Sequence, residues 1–158
     1  MKLSAIVPSR LQVNPASETG NLYLDLSLMS LRRQSRKVDE CIVAVDPGQS
    51  AKVPARFERS GWLRVVEAKE PSQASALNAA VEAATGDVLV FLEDDDQREA
   101  NAVAIAMDAM NETGAVLVTS NQREVDETGS FIRINDFATP SGWNISRPWF
   151  DKVGGFDP

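Results

Sequence analysis

The stretch that most restricts how this chain can fold is DVLVFLEDDD, residues 87–96, in which an apolar run leads directly into four acids. Val88–Leu92 has no polar alternation, which is typical of a strand buried on both faces of a parallel sheet. Glu93–Asp96 would then follow the end of that strand, and open α/β sheets bind ligands outside the carboxyl ends of their strands. Adjacent carboxylates repel one another, so these acids indicate either a divalent cation site or a solvated acidic turn.

Apolar segments alternate with helical segments along most of the sequence, which predicts an α/β fold with a mainly parallel sheet flanked by helices. The predicted strands are Leu3–Val7, Glu40–Val45, Leu63–Glu67, residues 87–92, Ala115–Ser120 and Gly142–Ile145. The predicted helices are one that Asn21 caps and that runs through Gln34, Gln73–Ala84, Ala100–Asn111 and a short helix that Ser146 caps and Gly154-Gly155 ends. A β-hairpin is predicted from Gln122–Val125 and Ser130–Ile134 around the turn Asp126-Glu127-Thr128-Gly129. Neither a linker nor an internal repeat divides residues 1–158, so we expect a single domain.

The composition excludes several classes of function. Sixteen basic against 23 acidic residues give a net charge of −7, which argues against nucleic acid as a partner. The absence of histidine excludes Ser-His-Asp, Cys-His and zinc-histidine chemistry. Cys41 is the one cysteine, so no internal disulfide can form and we expect a reducing, cytoplasmic location. No apolar run approaches the length of about 20 residues that a membrane span needs.

Polar residues also follow the first two predicted strands. Ser9-Arg10 comes after the first and Asp46 after the second. The carboxyl ends of parallel strands share one edge, so Arg10, Asp46 and the acidic run are expected to line one crevice. Asp46 alone would equally suit a turn before Pro47-Gly48. The sequence contains neither a P-loop motif nor a G-x-G-x-x-G motif after the first strand.

Four segments in this order resemble family 2 glycosyltransferases, which have the GT-A fold. The segments LSAIVPSR and CIVAVDPG resemble the first two strands of that family with their polar exits. ALNAAVEAATGDVLVFLEDDD is similar to its helix, turn and strand block with the D-x-D signature. GWNISRPWFDKVGGFD is similar to its acceptor-side segment. The resemblance covers nearly the whole chain and implies a nucleotide-binding half, 1–97, and part of an acceptor-side half, 98–158.

The resemblance implies roles for the donor-side residues. Pro8, Ser9 and Arg10 would lie beside the nucleobase, Asp46 would hydrogen-bond the base or the ribose, and Asn78 would face the nucleotide pocket.

It likewise implies a metal site that holds Mn²⁺ or Mg²⁺. Glu93 and Asp95 occupy the two acidic positions of D-x-D, with Asp94 between them at the nucleotide sugar. Asp95 would bind the metal that bridges the diphosphate, and Glu93 would point towards the ribose or a metal-bound water. Asp96 would assist or cap the following segment.

On the acceptor side, the resemblance implies that Gly142, Trp143 and Asn144 line the site. The family's catalytic base follows Gly-Gly-Phe-Asp, whereas this sequence stops at Pro158, so the usual base is expected to be absent. Asp157 or Asp136 would have to replace it. A second departure is that the first acid of the signature is Glu93 where aspartate is usual.

The implied function is that of an inverting, metal-dependent hexosyltransferase that moves a sugar from a UDP- or GDP-sugar to a saccharide or other hydroxyl acceptor. The alternative is a non-catalytic nucleotide-sugar-binding module, which would lack the base or need a partner chain or a second copy. A phosphoacceptor of the receiver type also uses acids at strand ends, but the hairpin and the Gly-Gly-Phe-Asp segment have no role in it.

Overall fold

Strands alternate with α-helices along the chain as far as residue 113, except that a short 3-10 helix, Ser50–Lys52, connects the second strand to the third. Beyond residue 113 the order is irregular. The computed structural model describes residues 1–57, 61–126 and 128–157. The elements are, in order, β1 (Leu3–Ser9), α1 (Tyr23–Arg32), β2 (Glu40–Val45), β3 (Leu63–Glu67), α2 (Gln73–Ala83), β4 (Val88–Phe91), α3 (Ala102–Thr113), β5 (Leu117–Val118), β6 (Gln122–Val125), β7 (Phe131–Asn135), β8 (Asn144–Ser146) and α4 (Arg147–Val153).

The main sheet has the strand order β3-β2-β1-β4-β8-β5. β1 pairs in parallel with β2 and β4, and β2 pairs in parallel with β3, which confirms the prediction of a mainly parallel α/β sheet. β8 runs antiparallel between β4 and β5. β6 and β7 form the predicted hairpin as a separate two-stranded sheet, and Glu127 of its predicted turn lies outside the described residues.

Both faces of the sheet are covered, which explains why the central strands are apolar throughout. On one face, Leu24, Leu28 and Leu31 of α1 pack with α3 against alternate residues of β1, β2 and β4. On the other face, α2 and Phe150 of α4 pack against the remaining residues of those strands, including Phe91. No helix in the described part of the chain combines the length and the apolar character needed to cross a bilayer.

Most predicted elements begin or end one or two residues away from their observed bounds, and two of these differences have a clear cause. Ala115–Ser120 was expected to be a full apolar strand, but β5 is two residues long because it pairs only with β8 at the edge of the sheet. Helix α1 begins at Tyr23, and Asn21 is not its cap. Instead, the Asp25 carboxylate accepts a hydrogen bond of 2.8 Å from the backbone N–H of Leu22, the residue before the helix.

Candidate functional site

The carboxyl ends of β1, β2 and β4 meet at one edge of the sheet and open a cleft of about 260 Å³. Ser9 is in register with Val45, and Ile6 with Phe91, so the loops after the three strands leave side by side. Most of the residues expected at this edge line the cleft: Pro8, Ser9, Arg10, Asp46, Glu93, Asp94 and Asp95. The lining also includes four residues that the sequence analysis missed, namely Gln12, Ser72, Gln73 and Ala76.

Three of the four acids bring their oxygen atoms together. One carboxylate oxygen from each of Glu93, Asp95 and Asp96 lies within 4.8 Å of the other two. Asp95 is exposed, and within the described ranges its carboxylate accepts no hydrogen bond, so it is available to a ligand. These hard oxygen donors suit Mg²⁺ or Mn²⁺. Of the two roles left open for Asp96, assistance at the cation and capping of the next segment, this grouping favours the first.

Electrostatics at the cluster favour a bound cation. Burial raises the pKa values of Glu93, Asp94 and Asp96 above their ordinary range. For Glu93, burial is the largest cause of the raised pKa, the hydrogen bond from Gln73 opposes it, and repulsion by the other three acids adds to it. A positive charge among these groups would favour their ionised forms and relieve the repulsion.

Asp94 differs from its neighbours because protein groups already bind its carboxylate. Its Oδ2 accepts hydrogen bonds from Ser9 Oγ at 2.5 Å and from the backbone N–H of Arg10 at 3.2 Å. Ser9 Oγ in turn accepts a bond of 3.0 Å from the backbone N–H of Leu11, which has a left-handed φ of 55°. A non-glycine residue in that region is strained and persists only where its surroundings fix it. Asp94 therefore fixes the loop that carries Arg10 into the cleft.

Glu93 is held by three different elements. Its backbone oxygen accepts a hydrogen bond of 3.2 Å from Ser27 Oγ of α1. Its backbone N–H donates to Ser141 Oγ at 3.0 Å. Its side chain accepts a bond from Gln73, the first residue of α2, with 2.8 Å between Nε2 and Oε1. The position of Glu93 is thus set from both faces of the sheet.

Arg98 lies behind the acids and is 9% exposed. Its Nη2 donates to the backbone oxygens of Phe91 at 2.8 Å, Trp143 at 3.1 Å and Ser141 at 3.3 Å, and its Nη1 donates to Asn144 Oδ1 at 3.3 Å. Burial lowers the pKa of Arg98 to about 10, so the guanidinium remains charged at neutral pH. Arg98 joins the end of β4 to the segment that precedes β8.

A second cavity of about 400 Å³ adjoins the cleft on the side where the acceptor was expected. It shares Asp95 with the cleft, and Asp96 and Gly142 also line it.

The structure differs from the expectation for Trp143 and Asn144, neither of which lines that cavity. Asn144 is 1% exposed and its amide is engaged by Arg98, Val118 and Gly142. The Trp143 ring stacks on Phe156, with 6.0 Å between ring centroids. Both side chains are therefore used in packing.

Asn78 also has a different place from the one expected. It does not line the cleft, because its amide forms two hydrogen bonds with the backbone of Phe156. Nδ2 donates to the Phe156 oxygen at 2.7 Å, and the Phe156 N–H donates to Oδ1 at 3.0 Å. Asn78 thus attaches the Gly-Gly-Phe-Asp segment to α2. Gly155 fits there because a Cβ atom at that position would come within 2.8 Å of Asn78 Oδ1.

Asp136 and Asp157, the two candidates for a replacement base, are exposed, and neither lines the cleft or the adjoining cavity. Of the residues that the sequence analysis missed, Gln73 could have been predicted at the cleft from its position in the sequence. It begins the helix after a parallel strand, and the N-terminus of such a helix lies at the ligand-binding edge. Arg98 and Ser141 could not have been predicted in this way, because their contacts join segments distant in sequence.

Comparison with known proteins gives one family and a consistent fold. The sequence model of Glycosyl transferase family 2 matches residues 17–154. No curated protein sequence matches the chain.

Among solved structures, S. aureus TarS 1–349 in complex with UDP is similar with a TM-score of 0.72 and 19% identity, over 99% of this chain and 50% of that one. The same TarS fragment in complex with UDP-GlcNAc has a TM-score of 0.71 and 20% identity, over 99% and 49%. Mannosyltransferase PcManGT from Pyrobaculum calidifontis, in complex with GDP-Man and Mn²⁺, has a TM-score of 0.71 and 19% identity, over 99% and 47%. The chain therefore spans about half the length of these three solved chains, and the likeness at this identity is one of fold.

Proposed function

The chain belongs to glycosyl transferase family 2, and on that premise we propose that it acts in metal-dependent transfer of a hexose from a nucleotide-diphospho-sugar to an acceptor hydroxyl. The observation that carries this proposal is the cleft at the strand edge, where Asp46 and Arg10 face a cluster of acids whose oxygens are close enough to share one cation.

In the proposed complex, the nucleoside occupies the part of the cleft between the loops after β1 and β2. The Asp46 carboxylate accepts hydrogen bonds from N–H groups of the base or from ribose hydroxyls. Pro8 and Ser9 form the floor of this space, and Asp94 holds the loop in place through Ser9 and Arg10. Arg10 lines the same space and would lie beside the nucleobase.

Asp95, Glu93 and Asp96 would hold Mn²⁺ or Mg²⁺, since their oxygens are of the type and spacing that such ions bind. The bound ion would neutralise charge that develops on the departing nucleoside diphosphate. Asp95 lines both the cleft and the second cavity, so the donor and acceptor spaces meet at this residue. An acceptor hydroxyl in the second cavity would attack the anomeric carbon from the face opposite to the diphosphate, which inverts that carbon. The nucleoside diphosphate would leave, and a carboxylate base would take the hydroxyl proton.

Calorimetric titration with UDP and GDP, each with and without Mn²⁺, tests the donor site. We expect one nucleotide to bind in the presence of Mn²⁺ and Asp95→Ala to abolish that metal-dependent binding. Asp108→Ala, which removes an exposed acid from α3, is the matched control and should bind as the wild type does. Failure of both nucleotides to bind under every condition would overturn the proposal.

A turnover assay then separates transfer from binding alone. UDP-GlcNAc and GDP-Man are suitable donors because structural neighbours bind them. Metal-dependent release of UDP or GDP, accelerated by a saccharide acceptor, would support the enzyme. Binding with no release would support a nucleotide-sugar-binding module.

A further inference from the structure

We propose that Gln73 is a positioning residue that fixes the carboxylate of Glu93 for binding of the divalent cation. The inference rests on the proposed function, because it assigns Glu93 to the cation site. It is carried by the bond of 2.8 Å between Gln73 Nε2 and Glu93 Oε1, which joins the N-terminus of α2 to the loop after β4.

Glu93 needs such support more than its acidic neighbours do. A glutamate side chain has one more rotatable bond than an aspartate, so it loses more conformational freedom when it binds an ion. The backbone of Glu93 is already fixed by Ser27 and Ser141. Those bonds leave the side-chain torsions free, and in the described part of the chain Gln73 is the hydrogen-bond donor that restrains them.

Gln73 is itself held in a defined place. Ser72 caps α2, with its hydroxyl accepting a bond of 3.1 Å from the backbone N–H of Ser75. Ala76 and Leu77 in the next turn are buried against the sheet. Residue 73 therefore projects from a rigid helix end, while its side chain is exposed and fills no space in the core.

The chemistry of the amide suits this role. Gln73 donates to one oxygen of Glu93, and the remaining lone pairs stay available to a cation. The amide is neutral, so it orients the carboxylate without repelling the ion as a lysine would. A carboxylate whose side chain is already restrained binds a cation more tightly, because it loses less conformational entropy on binding.

The test measures Mn²⁺ affinity from the EPR signal of free Mn²⁺, titrated into wild type, Gln73→Met, Glu93→Asp and the double variant. Methionine keeps the length and helix propensity of glutamine and removes the donor. We expect Gln73→Met to weaken Mn²⁺ binding about three- to tenfold, the range for loss of one hydrogen bond. In the Glu93→Asp background the shorter side chain no longer reaches residue 73, so Gln73→Met should have no further effect.

Gln49→Met is the matched control, because Gln49 contributes its backbone N–H to the turn after β2 and lies outside the acid cluster. It should leave Mn²⁺ affinity unchanged. Thermal unfolding without metal should be the same for Gln73→Met and wild type, which separates positioning from stability.

Equal Mn²⁺ affinity in wild type and Gln73→Met would overturn the inference and leave the proposed function standing. The same is true if Gln73→Met weakens binding equally in the wild-type and the Glu93→Asp backgrounds. If the wild type binds no Mn²⁺ at all, both the inference and the metal dependence of the proposed function are overturned.

Discussion

Arg98 donates a hydrogen bond from Nη2 to the backbone oxygen of Phe91 at 2.8 Å, at the point where β4 leaves the sheet. The same guanidinium binds the backbone oxygens of Ser141 and Trp143, and so ties the end of β4 to the segment that lines the second cavity. The placement of the acids thus depends on one buried charge that does not line the cleft.

We expect Arg98→Met to lower the free energy of unfolding by about 3 kcal/mol, because it removes the guanidinium donor from the backbone oxygens of Phe91 and Ser141. Urea denaturation would measure this loss. Arg133→Met is the control, since Arg133 pairs with Glu124 on the hairpin with 68% of its side chain exposed. It should change stability by no more than about 0.5 kcal/mol. Similar losses in both variants would show that the buried network contributes little.

The parallel part of the sheet and most of the cleft could be predicted because short stretches of sequence indicate them. Each central strand is an apolar run, and a polar residue such as Asp46 or Glu93 follows directly. Parallel strands necessarily bring those residues to one edge. This pattern alone predicted Arg10, Asp46 and the acidic run at the cleft, whereas Pro8 and Ser9 were placed there by the family resemblance.

The remaining features depend on contacts between distant segments. The family resemblance implied that Asn78 faces the nucleotide, but a partner 78 residues away, Phe156, engages its amide. Asn144 is likewise turned inward by Arg98, and β8 inserts between β4 and β5 although neither is its neighbour in sequence. No local pattern encodes such pairings.

The hydrogen bond between Ser9 and Asp94 should make the effects of mutating the two residues on nucleotide affinity non-additive. We expect Ser9→Ala and Asp94→Ala each to weaken nucleotide binding, by about fivefold for loss of one hydrogen bond worth about 1 kcal/mol. The double variant should be no weaker than the more affected single variant, because both changes release the same loop. Calorimetric titration of the four proteins gives the coupling, and additive losses would contradict it.

The raised pKa values of Glu93, Asp94 and Asp96 make stability depend on pH. A carboxyl group with a higher pKa in the folded chain stabilises the fold fully below its unfolded pKa, and this contribution is lost as the pH rises through the folded pKa. Without metal, these groups should therefore destabilise the fold increasingly as the pH rises from about 4.

Mn²⁺ should stabilise the fold more strongly as the pH rises, because it binds the ionised acids. We expect the increase in melting temperature caused by Mn²⁺ to be larger at about pH 7 than at about pH 4.5. Asp95→Ala should show little increase at either pH. An increase in the wild type that does not vary with pH would contradict the assignment of these acids to the cation.

The contact between Gly155 and Asn78 can be tested against its neighbour Gly154. Both glycines have left-handed φ angles, 88° at Gly154 and 85° at Gly155. A Cβ atom added to Gly154 would have no neighbour within 4 Å, whereas one added to Gly155 would lie 2.8 Å from Asn78 Oδ1. We expect Gly154→Ala to cost about 1 kcal/mol from backbone strain alone and Gly155→Ala about 2 kcal/mol. In the Asn78→Ala background the cost of Gly155→Ala should fall to that of Gly154→Ala. Denaturant unfolding of these variants measures the difference, and equal costs in the wild-type background would show that Asn78 does not restrict position 155.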